Sequence, residues 1–136
     1  MLSYSTFREA AESGTITSAD TTRQAISDIQ SKKHLNAFLT VCENEALTHA
    51  EKSDEHFSAN TARLLEGMTI ALKDNISTKG IRTTCASKIL ENFIPVYDAT
   101  IVERMDAHGG VIVGKTNLDE FAMGSSNENS AFGAVE

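Results

Sequence analysis

Lys73 is the residue of this sequence whose position most directly suggests chemistry. It lies in the stretch LEGMTIALKDNI, residues 65–76, in which apolar residues alternate with small or polar ones. This period of two residues predicts a β-strand that ends near Lys73. A lysine ammonium is costly to bury unless it is paired or loses its proton. Two interpretations therefore stay open from the spacing alone: an ammonium that reaches water from the strand end, or a lysine held in a functional site.

A second lysine, Lys115, lies in a phosphate-loop pattern. The residues from Gly109 to Thr116 match G-x4-G-K-T letter for letter. Phosphate binding by this pattern requires a strand, then a flexible glycine loop, then a helix. Here a helical segment precedes Gly109, and the Val-Ile-Val run at 111–113 is typical of a covered strand. The sequence therefore argues against a nucleotide site and places Lys115 and Thr116 at the C-terminal end of a strand, where α/β proteins carry functional loops.

The elements that precede the Lys73 strand are mostly helical. Residues 4–12 predict a short amphipathic helix, and Ser18 is a candidate N-cap for a second one. Residues 44–57 predict a third helix. Between the second and third helices, residues 35–42 alternate well enough to predict a short strand or an extended segment.

Strand and helix signals alternate in the rest of the chain. Asp98 is predicted to cap a helix that Gly109-Gly110 ends, and the strand at 111–113 follows it. Asn117, with a glutamate three residues later, forms a variant capping box for a short helix through Met123. This alternation predicts an α/β sheet with crossover connections. We expect one domain, with a mainly helical lead-in over residues 1–60 and the start of the α/β core over 61–136.

The composition is that of an ordinary globular domain. The 136 residues are 40% hydrophobic and 23% charged, and the formal net charge is −7. An acidic chain without a cluster of Lys and Arg is not expected to bind a nucleic-acid backbone by itself. No apolar run reaches the length of a membrane span, so we expect no membrane association.

The cysteines and histidines form no metal-ligand pattern. Cys42 and Cys85 fit no metal spacing, and two thiols in a chain of this length indicate a reducing compartment, so we expect the cytoplasm. His49 and His56 are two helical turns apart, too far for one ion without ligands from another element. We interpret this pair as part of a solvated helix face, and we predict no metal site.

Three motifs together resemble the amidase signature family. They are G-x-x-I-A-x-K-D-N-I ending at Ile76, GKTNLDEFAMGSS at 114–126 and ENSAFG at 128–133. The resemblance covers essentially the whole chain but only the first part of the family's length. One departure is Thr69, which stands where the family usually has proline, so the entry to the strand is expected to be less rigid.

The resemblance implies a role for Lys73 as the catalytic base of a Ser-cisSer-Lys hydrolase. In such enzymes one serine attacks the amide carbonyl, a second serine relays its proton, and a neutral lysine accepts it. The resemblance also implies that Met123, Gly124 and Ser125 help to line the substrate pocket. In the family both serines lie in or near a Gly-Gly-Ser-Ser-Gly-Gly segment downstream of S-A-F-G, and the 136 residues contain no such segment. We therefore expect the chain to be an inactive N-terminal portion.

Within the family, the resemblance is to the glutamine-hydrolysing subunits of tRNA-dependent amidotransferases. It implies release of ammonia from glutamine for a partner subunit of a heterotrimer, which converts Glu-tRNA(Gln) to Gln-tRNA(Gln). ATP, Mg²⁺ and tRNA are expected at that partner, with no cofactor in this chain. The location implied is the cytoplasm, or an organelle matrix in a eukaryote. A stand-alone amidase acting on a small amide and a truncated, non-catalytic chain that binds partner subunits both stay open.

Overall fold

A computed structural model describes residues 3–136, in which helices and strands alternate from the second helix onward. The helices are α1 (Tyr4–Glu12), α2 (Ser18–Ser31), α3 (Glu43–Ser58) and α4 (Thr100–Ala107). The strands are β1 (Phe38–Val41), β2 (Thr69–Lys73) and β3 (Val111–Thr116). Short 3-10 turns occupy Lys33–Leu35, Lys88–Leu90 and Glu120–Ala122.

The three strands form one mixed sheet in the order β1-β3-β2. β3 is central; it runs antiparallel to β1 and parallel to β2, and α4 is the crossover between the two parallel strands. These elements confirm the predicted α/β class, including the covered strand at 111–113 and the short strand within 35–42. The short strand within 35–42 is β1. It pairs with β3 although it lies in the mainly helical first part of the sequence.

A register shift in the β2–β3 pair decides which way the lysine of β3 points. Ile70 pairs with Ile112, but Ala71 pairs with Gly114, so β3 carries one additional residue at this point. Since side chains alternate between the two faces of a sheet, one additional residue moves every later side chain of β3 to the other face. Lys115 thereby lies beside the buried Leu72 rather than beside Lys73.

Helices α2 and α3 cover one face of this sheet. Their shared core is made largely of small and β-branched side chains, namely Ala19, Ile26, Ala46, Ala50, Val111 and Val113. A second cluster lies under α1, where the rings of Phe7 and Phe57 meet edge to face at 6.1 Å between centroids. Burying these apolar surfaces is what holds the helices on the sheet. Within residues 3–136, no helix is both long enough and apolar enough to cross a bilayer.

The prediction of Ser18 as the N-cap of α2 was wrong by one residue. Thr17 is the cap, and its side-chain oxygen accepts the Asp20 N–H at 3.0 Å. Ser18 is the first helical residue and is fully buried, and its own N–H donates to the Asp54 carboxylate at 2.6 Å. Both residue types are good caps, and the tertiary contact to Asp54 on α3 selects between them.

Two further capping predictions were wrong. Asp98 accepts the Lys79 N–H at 2.7 Å instead of capping α4, whose N-cap is Ala99 without a side-chain hydrogen bond. Asn117 starts no helix, because its side-chain amide donates to the carbonyls of Asn36 and Gly133. The segment that follows is a 3-10 turn, Glu120–Ala122, containing residues with positive φ rather than a regular helix.

Candidate functional site

Lys73 and the segment after β3 lie at the same edge of the sheet. β2 ends at Lys73 and β3 ends at Thr116, and these two residues are partners in the parallel ladder. The Lys73 side chain is exposed, and within residues 3–136 its ammonium forms no hydrogen bond or ion pair. The strand end predicted from sequence is confirmed, and the side chain is accessible there. Its role as a base stays a prediction.

Backbone hydrogen bonds fix the turn that follows Lys73. The Ile76 N–H donates to the Lys73 carbonyl at 3.0 Å, and the Asp74 N–H donates to the Thr116 carbonyl at 3.0 Å. The Cys85 N–H donates to the Asp74 carbonyl, also at 3.0 Å. The backbone on both sides of Lys73 is therefore fixed by β3 and by the loop at 83–87.

Asp74 carries a fully buried carboxylate directly beside Lys73 in the chain. Its Oδ2 atom accepts hydrogen bonds from the Thr84 hydroxyl and, at 2.8 Å, from the Thr84 N–H. Its Oδ1 atom has no hydrogen-bond partner, and the nearest cation is the Lys115 ammonium, at 3.7 Å. A buried charge without compensation is costly, so Lys115 is the group that makes this carboxylate tolerable.

Lys115 is the buried lysine of the site. Its side chain is 0% exposed, and its ammonium donates to the Ile76 carbonyl at 2.7 Å and to the Thr83 hydroxyl at 2.8 Å. Burial lowers the pKa of the Lys115 ammonium, while the Asp74 carboxylate opposes that shift. Sequence reasoning placed Lys115 at its strand end correctly but missed its burial. The sequence feature that could have indicated a buried contact is the pair of motifs KDN and GKT, each at the end of one of two parallel strands.

The phosphate-loop pattern does not fold as a phosphate loop. Gly114 is within β3, pairs with both neighbouring strands, and has no room for a side chain because a Cβ there would collide with the Thr40 carbonyl. The glycine thus serves the close approach of β1. With its ammonium committed to protein oxygens, Lys115 is not available to a phosphate.

Met123, Gly124 and Ser125 are exposed in a loop beyond β3. The loop is held at the same sheet edge as Lys73 because the Phe121 N–H donates to the Cys85 carbonyl at 2.9 Å. Within the described part of the chain, no hydrogen bond joins Lys73 to these three residues. Their accessibility is compatible with a pocket lining, and their role in substrate binding stays a prediction.

Asp119 shapes this loop. Its carboxylate accepts the N–H groups of Asn127 and Asn129, each at 2.9 Å. These backbone hydrogen bonds lower the pKa of Asp119, since they favour the ionised form. A Cβ at Gly124 would lie 2.5 Å from the Asp119 carboxylate, so only glycine fits this loop without displacing Asp119.

The two cysteines are poor candidates for a nucleophile. Burial raises the pKa of Cys42 to about 11, and the nearby Glu45 adds to the effect. Burial, followed by the Asp74 charge, also raises the pKa of Cys85. The reactive species of a cysteine is the thiolate, which these environments disfavour near neutral pH. Neither thiol is therefore a good candidate for a nucleophile near neutral pH.

One groove in the structure includes none of these groups. It measures about 580 Å³ and opens between the C-terminal end of α2, β1 and the side of β2 that carries Thr69 and Ala71. Neither Lys73, Lys115 nor Met123 lines it. The candidate site is instead the open sheet edge where β2 and β3 end.

Comparison with known proteins gives consistent matches. Residues 20–136 match the family model described as Amidase. Over 134 residues the chain is 50% identical to the A subunit of glutamyl-tRNA(Gln) amidotransferase from Chlorobium phaeobacteroides, a match that covers 98% of this chain and 28% of that protein. Over 110 residues it is 57% identical to the mitochondrial A subunit of the same enzyme from Anopheles gambiae, covering 80% of this chain and 22% of that protein. The chain thus spans roughly a quarter of the length of these relatives.

Solved structures share the fold. The A subunit of glutamyl-tRNA(Gln) amidotransferase from Thermotoga maritima superposes with a TM-score of 0.73 at 38% identity, over 95% of this chain and 26% of that one. The native peptide amidase from Stenotrophomonas maltophilia superposes with a TM-score of 0.84 at 28% identity, over 95% of this chain and 28% of that one. The mixed sheet and its helices are therefore common to this chain and to amidase-signature enzymes.

Proposed function

Because this chain belongs to the amidase family, we propose that it is the N-terminal part of the A subunit of a glutamyl-tRNA(Gln) amidotransferase. The observation that carries the proposal is 50% identity to such a protein over 98% of the chain. In this proposal the whole protein releases ammonia from glutamine. The 136 residues contribute the base and part of the pocket, while the serine nucleophile comes from a segment outside them.

Lys73 would accept the proton of the nucleophile. A serine hydroxyl attacks the side-chain amide carbonyl of glutamine while its proton passes through a second serine to neutral Lys73 Nζ. The same proton returns to the departing amine, which leaves as ammonia, and water then repeats the sequence to release glutamate. The accessible position of Lys73 at the end of β2 supports this role, because a substrate and a serine can reach it from the open sheet edge.

Met123, Gly124 and Ser125 would line the pocket beside the reacting amide. Their support is position: they lie in an exposed loop that follows β3, the parallel neighbour of the strand that carries Lys73. Strand C-terminal ends and the loops beyond them are the usual site location in α/β proteins.

The ATP, Mg²⁺ and tRNA steps would belong to a partner subunit. Two features of this chain support that division: its net charge of −7 suits a tRNA backbone poorly, and its phosphate-loop lysine is committed to protein oxygens. The proposed location is the cytoplasm or, in a eukaryote, the matrix of an organelle.

A stand-alone amidase is the second candidate, and one observation favours it. The superposition on a peptide amidase, with a TM-score of 0.84, is better than the 0.73 on the amidotransferase protein. Sequence identity points the other way, at 28% against 38%. Substrate preference follows the side chains more closely than the backbone, so we rank the amidotransferase first.

The experiment is ammonia release by the full-length protein that contains residues 1–136, assembled with its partner subunits. We expect hydrolysis of glutamine, and loss of at least about a thousandfold in kcat for Lys73→Ala. Lys79→Ala, in another exposed lysine six residues further on, is the matched control and should keep full activity. Hydrolysis of simple amides but not of glutamine would instead select the stand-alone amidase, and no hydrolysis of either would select the non-catalytic chain.

A further inference from the structure

We propose that the buried Lys115–Asp74 pair positions Lys73 for its reaction, which makes Lys115 a positioning residue rather than a phosphate ligand. The proposal rests on the function proposed above, in which Lys73 is the base. It gives a structural role to the G-K-T motif, which does not form a phosphate-binding loop in this fold.

The Lys115 ammonium joins two segments that flank Lys73. One hydrogen bond goes to the Ile76 carbonyl, in the turn directly after Lys73, at 2.7 Å. The other goes to the Thr83 hydroxyl, in the loop at 83–87, at 2.8 Å. Because Lys115 itself is on the central strand, one side chain links the turn and the loop to the most constrained element of the sheet.

Asp74 completes the link from the other side. Its carboxylate binds the hydroxyl and the N–H of Thr84, while its free oxygen faces the Lys115 ammonium at 3.7 Å. Both side chains are fully buried, so each charge depends on the other for compensation. The pair therefore holds the turn and the loop together as a unit.

Fixing this turn fixes the direction of Lys73. Its carbonyl is held by the Ile76 N–H, and the next peptide N–H is held by the Thr116 carbonyl. The direction of a Cα–Cβ bond follows from the backbone, and successive residues of a strand point to opposite faces. Leu72 and Asp74 are buried, and Lys73, which lies between them and points to the other side of the sheet, is exposed.

Stability alone is a weak reason for such a pair. A buried ion pair replaced by apolar residues of similar volume often leaves a protein as stable or more stable. What an apolar pair cannot reproduce is the bonding to the Ile76 carbonyl and the Thr83 hydroxyl. A base displaced by about 1 Å loses on the order of a hundredfold in rate. The geometry therefore points to placement of Lys73 as the purpose of the pair.

The experiment uses the full-length protein in its complex. Lys115→Met leaves the Asp74 charge uncompensated and is expected to fold poorly, so the informative variant is Asp74→Asn with Lys115→Met, which removes both charges. Ile26→Ala is the stability control, since it opens a cavity in the α2–α3 core away from the turn. Lys88→Met is the control for losing a lysine, because Lys88 lies at the surface.

Two readouts are taken from each variant: hydrogen–deuterium exchange of the peptide spanning 72–78, and kcat and KM for ammonia release from glutamine. In the double variant we expect exchange in 72–78 to rise at least about tenfold, with α3 unchanged, and kcat to fall about a hundredfold with KM within about twofold. Both controls should keep the wild-type exchange of 72–78 and the wild-type kcat.

Three results would overturn the proposal. They are unchanged exchange in 72–78, faster exchange there with wild-type kcat, and an equal loss of kcat in Ile26→Ala. Failure of the proposed function looks different, because the wild-type complex then releases no ammonia from glutamine at all. In that case the positioning role in this reaction falls with it, whatever the exchange of 72–78 shows.

Discussion

Arg63 donates two parallel hydrogen bonds to the buried carboxylate of Glu66, from Nε to Oε2 at 2.7 Å and from Nη2 to Oε1 at 2.9 Å. The Arg63 N–H adds a third at 3.1 Å, and the Glu66 side chain is 0% exposed. The adjacent backbone connects to the turn before β3, since the Gly67 N–H donates to the Gly109 carbonyl at 2.9 Å. This pair therefore sets the point at which β2 begins beside β3.

Glu66→Gln should destabilise the fold in a pH-dependent way. Burial alone would raise the pKa of Glu66, but hydrogen bonds from Arg63 and Ser53 outweigh it and hold the pKa below its ordinary value of 4.5. The stabilisation by this group is therefore complete above pH 4.5 and is lost as the pH falls through the folded-state pKa. At pH 7 we expect a loss of about 2 kcal/mol in the free energy of unfolding, somewhat below the usual cost of breaking a buried pair because Arg63 is partly solvated.

The measurement is urea unfolding of wild type and Glu66→Gln at pH 7 and at pH 3.5. The difference between the two proteins should shrink at the lower pH, because Glu66 of the unfolded wild-type chain is then largely protonated and the advantage of the ionised folded form decreases. A difference of equal size at both pH values would show that the charge of Glu66 contributes nothing.

Gly109→Ala should be costly for two reasons that can be separated. Gly109 has φ of +86°, and a Cβ there would lie 2.7 Å from Glu66 Oε1. Gly14 has φ of +71° but open space around it, so Gly14→Ala carries the backbone penalty alone. We expect about 1 kcal/mol for Gly14→Ala and at least about 2 kcal/mol for Gly109→Ala. Equal costs in urea unfolding would mean that the Glu66 carboxylate moves aside freely.

Cys42 should react slowly with thiol reagents at neutral pH. Its side chain is buried, with 4% of the residue exposed, and its pKa is raised to about 11. Iodoacetamide labelling followed by peptide mass spectrometry should therefore show a Cys42 rate that keeps rising with pH from 7 towards 10. The half-buried Cys85 serves as the internal comparison and should be labelled faster. Rapid labelling of Cys42 at pH 7 would contradict the buried environment assigned to it.

ATP should not bind at Lys115. The ammonium is already used by the Ile76 carbonyl and the Thr83 hydroxyl, and the glycines of the pattern lie in a turn and in a central strand. Calorimetric titration of ATP into the full-length protein, without its partner subunits, should show no binding with a sub-millimolar dissociation constant. Sub-millimolar binding that disappears in the double variant Asp74→Asn, Lys115→Met but persists in Lys88→Met would contradict this.

The order of the elements could be predicted because it depends on local periodicity. The helix at 4–12, the helix near 44–57 and the strand at 111–113 each carry a pattern that a few neighbouring residues define. Helix starts could not be predicted to the residue, because Thr17 and Ser18 are both good caps and a distant contact, Ser18 to Asp54, decides between them.

The inner part of the site could not be predicted, because it depends on register between strands. A single additional residue in β3 turns Lys115 towards Asp74 instead of towards Lys73. Nothing in either local pattern shows that shift, since it arises where two segments some forty residues apart in sequence meet. Residue types at strand ends show where chemistry is concentrated, and the pairing decides which lysine is buried.

The central claim, that Lys73 is the base of a glutamine-hydrolysing site, is tested most directly by Lys73→Arg in the full-length protein within its complex. Arginine keeps the positive charge and a similar length, but its guanidinium does not give up a proton in this pH range. A surface lysine would tolerate the change, whereas a base would not. Lys79→Arg is the matched control at an exposed position.

The measurement compares amidation of Glu-tRNA(Gln) driven by glutamine with amidation driven by added ammonia. Ammonia bypasses the site, so in Lys73→Arg we expect ammonia-driven amidation at the wild-type rate and glutamine-driven amidation reduced by at least about a thousandfold. Glutamine-driven amidation at the wild-type rate in Lys73→Arg would remove Lys73 from the mechanism.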